Sequence, residues 1–134
     1  MTSSDDPMAA VRAFADAFNA GDAKAMSAVC ADPMHILDGM SPHVFQGPTA
    51  AEDWYAHAVA EAEHFGITDY HIELGEPRHA DITGDNAYVV VPTSLSHNRQ
   101  GRSITQTGAV MTLALRKIDG HWRLTAWAWA KGNT

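Results

Sequence analysis

The part of the sequence that most determines the fold is residues 11–22, which read VRAFADAFNAGD. Apolar side chains recur there at the spacing i, i+3, i+4 and i+7, which predicts one helical face directed at a core and made of Val11, Phe14, Ala15 and Phe18. Upstream, Asp6 is a favoured N-cap and Pro7 a favoured first helical residue. The pair Gly21-Asp22 predicts the end of this helix and the start of the next one.

Two more helices are predicted before residue 66. The second carries Met26, Val29 and Cys30 on its apolar face, and we expect Pro33 to end it. Residues 34–38 form a short strand-like run. Residues 49–52, Thr-Ala-Ala-Glu, match a capping box and open a third helix that is predicted to run to about Phe65.

The second half of the chain has the composition of strands. β-branched and aromatic residues are frequent in residues 70–77, 87–97, 104–117 and 122–130, and turn residues separate these runs at 84–86, 98–101 and 119–120. Helices first and hairpin-linked strands afterwards predict an α+β fold, in which three N-terminal helices pack on a strongly curved antiparallel sheet with an internal apolar pocket. Because no repeat or linker-like stretch interrupts the chain, we predict a single domain over residues 1–134.

The bulk composition excludes several classes of function. The formal net charge is −7 and the nine Lys and Arg residues are scattered, which argues against nucleic-acid binding. No apolar run approaches the roughly 20 residues of a membrane span, and residues 1–7 lack the features of a secretory signal. The single cysteine, Cys30, allows no internal disulfide and fits a reducing compartment. We therefore expect a cytoplasmic protein that binds neither nucleic acid nor membrane.

Asp38 is the acidic residue best placed for chemistry. It ends the strand-like run and shares one strand face with Met34 and Ile36. Desolvation at the edge of an apolar face disfavours the charged form of an acid, which can tune it toward general-base work. The alternative is that Asp38 caps the turn that begins at Gly39.

Tryptophans provide the second signal. In the last predicted strand, Thr125, Trp127 and Trp129 alternate with alanines, so a period of two places these three side chains on one face. Such an aromatic wall suits a flat or ring-bearing ligand, although two core tryptophans would give the same pattern. Trp54, on the third helix, is placed to close the same cavity.

The eight histidines call for a test of metal binding. His57, Glu61 and His64 share one helical face, but their spacing differs from the His-Glu-x-x-His zinc pattern, and a solvated helix face explains them better. We therefore predict no metal and no other cofactor. His97, at the end of a strand, is a candidate for a neutral donor or acid beside the pocket; the alternative is a purely structural histidine.

Taken together, these stretches resemble the nuclear transport factor 2-like (NTF2-like) superfamily, which includes ketosteroid isomerases and SnoaL-type polyketide cyclases. The resemblance is carried by Phe-Asn-Ala-Gly-Asp at 18–22, Ala-Asp-Pro at 31–33, Gly-Pro-Thr-Ala-Ala at 47–51 before Trp54-Tyr55, and Asp-Gly-His-Trp-Arg-Leu at 119–124. It covers nearly the whole chain and implies the cystatin-like, cone-shaped fold with an internal pocket. It implies no single activity, because this fold hosts enzymes, binding proteins and transport adaptors.

The resemblance to ketosteroid isomerases also implies site residues. Asp38 matches the family's proton-shuttling aspartate, whereas Phe14 replaces the tyrosine donor of the first helix and residues 110–112, Val-Met-Thr, lack the late carboxylate. Tyr55 matches a supporting tyrosine of the family, whereas His97 is a candidate from its place at a strand end alone. Asp38, Tyr55 and His97 form the expected catalytic set, with the last two as replacement donors. The expected pocket lining is Phe14, Phe18, Ile36, Trp54, Val110, Thr112, Thr125, Trp127 and Trp129.

Two functions fit these expectations. The first is a cofactor-free isomerase, dehydratase or cyclase in which Asp38 is the general base. The second is a non-catalytic binding module. Both take a small hydrophobic or aromatic organic ligand. Apolar residues on both faces of the last two long strands predict in addition a homodimer formed through the outer face of the sheet.

Overall fold

The structure is a computed structural model that describes residues 6–132, so the residues 1–5 used in judging the secretory signal lie outside it. Three helices, α1 (Pro7–Ala20), α2 (Ala23–Ala28) and α3 (Ala50–Phe65), and seven strands follow one another along the described chain. The strands are β1 (Cys30–Leu37), β2 (Val44–Gly47), β3 (Ile67–Leu74), β4 (His79–Thr83), β5 (Asn86–Arg99), β6 (Arg102–Ile118) and β7 (His121–Ala130). The predicted α+β class, with three N-terminal helices, is confirmed.

The helix ends follow the capping chemistry of the sequence at most positions. Asp6 Oδ1 accepts a hydrogen bond from the backbone N–H of Met8 at 2.9 Å, and Gly21 ends α1 with φ of 71°. The expected capping box at α3 is wrong in detail, because the Thr49 hydroxyl donates to Asp53 at 3.0 Å and caps no backbone group. The expected end of α2 at Pro33 is also wrong, since residues 30–37 already pair as a strand.

The strands form one sheet in the order β2-β1-β7-β6-β5-β3, with β4 also paired to β5. All pairs are antiparallel except β1 with β7, which is parallel. Helix α1 contacts β3, β5 and β7, and α3 contacts β1, β2 and β3, so both cover the same face of the curved sheet. No helix within residues 6–132 is long and apolar enough to cross a membrane.

A β-bulge in β7 decides which side chains reach the core. Leu124 lies opposite Leu115 and Ala126 opposite Ala114, so Thr125 is an extra residue that has no partner across the ladder. Its hydroxyl donates instead to the Ala114 carbonyl at 3.0 Å. The bulge shifts the alternation of faces, and Leu124 and Trp127 are both buried. The expectation that Thr125 shares the inner face with Trp127 is therefore wrong, because it assumed an unbroken period of two.

The inner face of β6 is also the opposite of the one expected. Ala109, Met111 and Leu113 are buried, whereas Val110 and Thr112 between them are only partly buried. Val110 and Thr112 therefore face away from the helices and do not line the interior. The sequence of β6 is apolar on both faces, so alternation alone did not distinguish the two.

Asn19 joins the end of α1 to the sheet. Its side-chain amide donates to the Ile72 carbonyl at 2.9 Å and accepts from the Ile72 N–H at 2.7 Å. These two bonds satisfy both backbone groups of a buried residue on the edge strand β3. Asn19 thereby fixes the distance between α1 and β3 at the point where the interior of the sheet opens.

Cys30 lies at the junction of α2 and β1, and its thiol donates to the Met26 carbonyl at 3.3 Å. Burial raises the pKa of the Cys30 thiol to about 12, and the positive charge of Arg123 opposes this shift only in part. The thiol therefore stays protonated at neutral pH, which is the state of an inert structural cysteine.

We expect Asn19→Ala to lower the free energy of unfolding by about 1–3 kcal/mol, because it leaves the N–H and C=O of Ile72 without partners. Urea unfolding followed by tryptophan fluorescence measures this loss. Gln46→Ala, at an exposed position of β2, is the matched control and should cost less than about 0.5 kcal/mol. Equal losses in the two variants would show that the Asn19 hydrogen bonds contribute nothing.

We expect Cys30 to react with a thiol-exchange reagent far more slowly in the folded protein than in urea. At about pH 8, its raised pKa leaves a thiolate fraction roughly a thousandfold smaller than that of an ordinary cysteine. The raised pKa also affects stability. As the pH rises from the ordinary thiol pKa toward about 12, the Cys30 thiol loses its proton in the unfolded chain before it does so in the folded protein, and the free energy of unfolding falls. Equal reaction rates for folded and unfolded protein would contradict the assignment.

Candidate functional site

A cavity of about 270 Å³ opens between the end of β1, the middle of α3, strand β3 and the end of β7. Most of its wall is apolar, and three charged side chains interrupt that wall. The lining residues are Phe18, Asp38, Gly39, Met40, Trp54, Ala58, Glu61, Tyr70, Ile72, Leu95, Trp129 and Lys131.

Asp38 enters this cavity from the turn that follows β1. The backbone N–H of Asp38 donates to the His43 carbonyl at 2.9 Å, and the His43 N–H donates to the Met40 carbonyl at 2.9 Å, so the turn is closed by its own main chain. The carboxylate is thus not used to cap the turn. Its Oδ2 atom accepts a hydrogen bond from the Trp54 indole N–H at 3.0 Å. Its Oδ1 atom has no hydrogen-bond partner within residues 6–132.

Trp54 belongs to an aromatic cluster that fills the base of the cavity. Its ring centroid lies 5.5 Å from that of Phe18 and 5.0 Å from that of Trp127, the latter at an interplanar angle of 89°. Phe14 lies beneath, 5.9 Å from Trp127. Aromatic pairs attract one another at these separations, most clearly where the rings meet edge-on as Trp54 and Trp127 do, so the indole that holds Asp38 is itself firmly packed.

Three charged residues line the cavity: Asp38, Glu61 and Lys131. Lys131 is the only cation among the described lining residues. The pKa of Tyr70 is raised, first by burial and then by the negative charge of Glu61. Tyr70 is therefore a neutral phenol beside a carboxylate. Lys131 follows the last residue of β7, and its aliphatic stem lies over Gly39, where an added Cβ would be 2.9 Å from Lys131 Cε.

The structure brings four of the predicted site residues together at the cavity and leaves the others outside it. Asp38, Phe18, Trp54 and Trp129 line it. The remaining predicted lining residues do not line it. Phe14, Ile36 and Trp127 are buried in the core beneath the cavity, and three more residues face away from the helices. Those three are Val110, Thr112 and Thr125.

The two predicted replacement donors lie elsewhere. Tyr55 packs edge-on against Phe18 at 5.9 Å and lines a second cavity on the other side of that ring. His97 is buried, its ring is 5.5 Å from that of Tyr70, and its Nδ1 atom has no partner within the described residues. Tyr55 and His97 are therefore not among the residues that line the cavity with Asp38, since Tyr55 lies against the Phe18 ring and His97 against the Tyr70 ring. Their role as donors stays a prediction.

Several lining residues were missed, although two of them had a readable signal. Trp54, Ala58 and Glu61 follow one another at i, i+4 and i+7, so Glu61, which is exposed as expected, also borders the cavity. Lys131 lies two residues after Trp129, which continues the alternation of β7 by one step. Tyr70 and Ile72 gave no such signal, because the left-handed backbone of Asp69, with φ of 60°, interrupts the strand before them.

The histidines of α3 serve local packing. His57 lies against the Phe45 ring at 5.2 Å and His64 against the Phe65 ring at 4.7 Å. Within residues 6–132, no three His, Cys, Asp or Glu side chains are grouped so that they could hold a metal ion.

Three solved structures illustrate the similarity of the fold. A ketosteroid isomerase-like protein from Erwinia carotovora atroseptica has a TM-score of 0.73 at 21% identity, over 95% of this chain and 94% of its own. An NTF2-like protein with a cystatin-like fold from Novosphingobium aromaticivorans has a TM-score of 0.72 at 16% identity, over 91% and 77%. A type 2 hexachlorocyclohexane dehydrochlorinase has a TM-score of 0.75 at 14% identity, over 94% and 85%. At these identities the likeness shows the fold alone.

The predicted NTF2-like, cystatin-like architecture is thereby confirmed. No curated protein matches the chain closely enough to add an activity. The sequence profile of the SnoaL-like domain, in contrast, matches residues 8–128, a range that holds all of the cavity lining except Trp129 and Lys131. The match covers far more than half of the chain, and the chain therefore belongs to the SnoaL-like domain family.

Proposed function

We propose that the cavity binds a small, ring-bearing organic molecule and that Asp38 removes a proton from it as a general base. The reaction would be an isomerisation, dehydration or cyclisation that needs no cofactor. The observation that carries the proposal is the carboxylate of Asp38, which is held at Oδ2 by the Trp54 indole while Oδ1 is left without a partner inside an apolar wall. A base needs this combination of a fixed orientation and one oxygen free to accept a proton.

The walls favour proton abstraction in two ways. Phe18, Trp54 and Trp129 displace water around the carboxylate, which strengthens its interaction with a bound substrate. They also offer flat faces on which a ring can stack next to Oδ1. The volume of about 270 Å³ lies just below the range of roughly 300–1,000 Å³ for ligand pockets, which favours a small ligand.

The family and two structural neighbours agree with this chemistry. The SnoaL-like and NTF2-like superfamily includes isomerases and dehydratases. The neighbours' names, ketosteroid isomerase-like and dehydrochlorinase, are compatible with isomerisation or elimination on this fold. They support a reaction class and leave the substrate open.

A second candidate function is a non-catalytic binding module for a hydrophobic or aromatic metabolite. It is favoured by Phe14 and Met111, whose side chains are apolar and buried. In the matching regions, ketosteroid isomerases carry the donors that stabilise an oxyanion. Such a module would need only the cavity walls, and Asp38 would then serve as a polar contact that orients the ligand.

Deuterium exchange separates the two candidates without knowledge of the product. We expect the protein to exchange the α-hydrogens of at least one enolisable ketone in a panel of small aryl and cyclic ketones in D₂O, followed by proton NMR. Asp38→Asn should slow this exchange by roughly 10²–10⁴-fold, because general-base catalysis contributes about that factor. Binding of the same ketone, followed by tryptophan fluorescence, should change little.

Two control variants accompany this experiment: one changes a residue away from the cavity, and the other changes the residue that donates to Asp38. Asp16→Asn, at an exposed position of α1, removes the same charge and should leave exchange unchanged. Trp54→Phe keeps an aromatic ring but loses the donor to Oδ2, so its exchange rate should lie between those of the wild type and Asp38→Asn. If no ketone exchanges faster than in buffer and Asp38→Asn alters only affinity, the enzyme proposal fails and the binding module remains.

The proposed assembly is a homodimer through the outer sheet face, meaning the groove on the side of the sheet opposite the helices. The groove contains Leu37, Val44 and Tyr88, which are 54%, 55% and 49% exposed, around a floor of small residues. None of its lining residues is an Asp, Glu, Lys or Arg, whereas the chain as a whole carries −7. Two such chains repel each other least where they meet through this uncharged surface.

We expect light scattering to give twice the monomer mass of 14.5 kDa for the wild type. Leu37→Glu should reduce this mass toward that of the monomer, because it places a charge in an apolar contact. Ile82→Glu, at a residue 51% exposed on β4 and outside the groove, is the matched control and should leave the mass unchanged. A wild-type mass of 14.5 kDa would refute the dimer.

A further inference from the structure

Proton abstraction by Asp38 creates a charge that the cavity must accommodate. When Oδ1 takes a proton from carbon, the C–H bond breaks, an O–H bond forms on Asp38, and the electron pair moves onto the substrate's carbonyl oxygen. Asp38 is then neutral, but Glu61 still lines the cavity as a carboxylate. An oxygen that becomes negative beside Glu61 is destabilised unless a donor or a positive charge faces it.

The neutral donors near the cavity do not stabilise such a negative oxygen. Tyr55 and His97 lie outside the cavity lining. Tyr70 lines the cavity, but burial and then the negative charge of Glu61 raise the pKa of its phenol, which makes it a weaker donor to a second anion. The Trp54 N–H already donates to Asp38.

Lys131 is the remaining group with the required charge. It is the only cation among the described lining residues, and no carboxylate within residues 6–132 forms an ion pair with it. Its stem lies against Gly39, with Cε 2.9 Å, Cδ 3.4 Å and Cγ 3.5 Å from the position of a Cβ at that residue. A glycine directly after Asp38 therefore leaves the space through which the lysine passes alongside the base.

We propose that Lys131 is the electrophilic partner of Asp38, and that its ammonium group binds the substrate oxygen on which negative charge develops. This inference rests on the proposed function and narrows its substrate class to carbonyl compounds that form an enolate. The ammonium supplies both an N–H donor and a full positive charge, which replaces the two oxyanion donors that Phe14 and residues 110–112 lack. Asp38 then returns the proton to a second carbon: its O–H bond breaks, a C–H bond forms with an electron pair of the enolate, and the C=O double bond of the substrate is restored.

A phenolate tests the inference without a known substrate, because it is a stable, planar analogue of an enolate. The probe is 4-nitrophenol at a pH above its own pKa, where the anion absorbs visible light and its binding is measured by titration. We expect Lys131→Met to weaken binding of the anion by roughly tenfold to a hundredfold, as for loss of a charged hydrogen bond. Lys131→Arg should recover part of this loss.

Three further variants make the outcome specific. Lys24→Met, at an exposed position of α2, changes the net charge equally and should leave the anion's affinity within about threefold of the wild type. Tyr70→Phe keeps the ring of the cavity wall and removes only its hydroxyl, so it should lose less affinity for the anion than Lys131→Met does. Asp38→Asn removes a negative charge beside the anion and should strengthen its binding.

The inference is overturned if the wild type does not bind the phenolate. It is also overturned if Lys131→Met and Lys24→Met bind it equally, or if Tyr70→Phe accounts for the loss instead. Failure of the proposed function looks different. In that case Lys131→Met loses affinity for the phenolate as expected, while Asp38→Asn leaves ketone exchange unaffected. Lys131 would then stand as an anion-binding group and Asp38 would not be the base.

Discussion

The hydrogen bond from the Trp54 indole to the Asp38 carboxylate links the two halves of the site. Trp54 lies on a helix and Asp38 follows a strand, and the two residues are sixteen positions apart in the chain. The rings of Phe14, Phe18 and Trp127 pack against the indole and so orient its N–H toward the carboxylate. One interaction therefore closes the base of the cavity, fixes the direction of the carboxylate and makes the hydrophobic core a condition for the chemistry that we propose.

The walls of the cavity differ in how firmly the rest of the structure holds them in place. The aromatic base belongs to the core and is held by dense packing. The opposite wall, with Tyr70 and Ile72, belongs to an edge strand, and the side-chain amide of Asn19 ties this strand to α1. Lys131 lies at the end of the last strand, where the stem rests on Gly39 and the charged group is exposed. The base is thus rigid, whereas the proposed electrophile has room to adjust to a ligand.

The sequence predicted the elements well because their signals are local. The stripe from Val11 to Phe18 and the turn at Gly21-Asp22 need no tertiary information, and Asp38 followed from its position at the end of an apolar strand face. The inner face of β6 and the position of Thr125 in β7 were mispredicted for a physical reason, whereas Trp127 and Trp129 lie on the expected side. Val110 and Met111 are both apolar, so alternation does not say which faces the helices, and the extra residue Thr125 breaks the period. No local pattern in the sequence shows that Tyr55 packs against Phe18 and His97 against Tyr70, so their distance from Asp38 could not be predicted.

The bulge at Thr125 has a consequence for how such a site diversifies. A strand in strict alternation exposes the same half of its residues whatever substitutions it accepts. A strand with one extra residue has a boundary, and moving that boundary by one position exchanges the inner and outer sets over part of the strand. Trp127, Trp129 and Lys131 all lie beyond this boundary. Insertion or deletion of one residue near Thr125 would therefore replace the whole β7 contribution to the cavity in a single event, and alignments of relatives that ignore the bulge would compare residues from opposite faces.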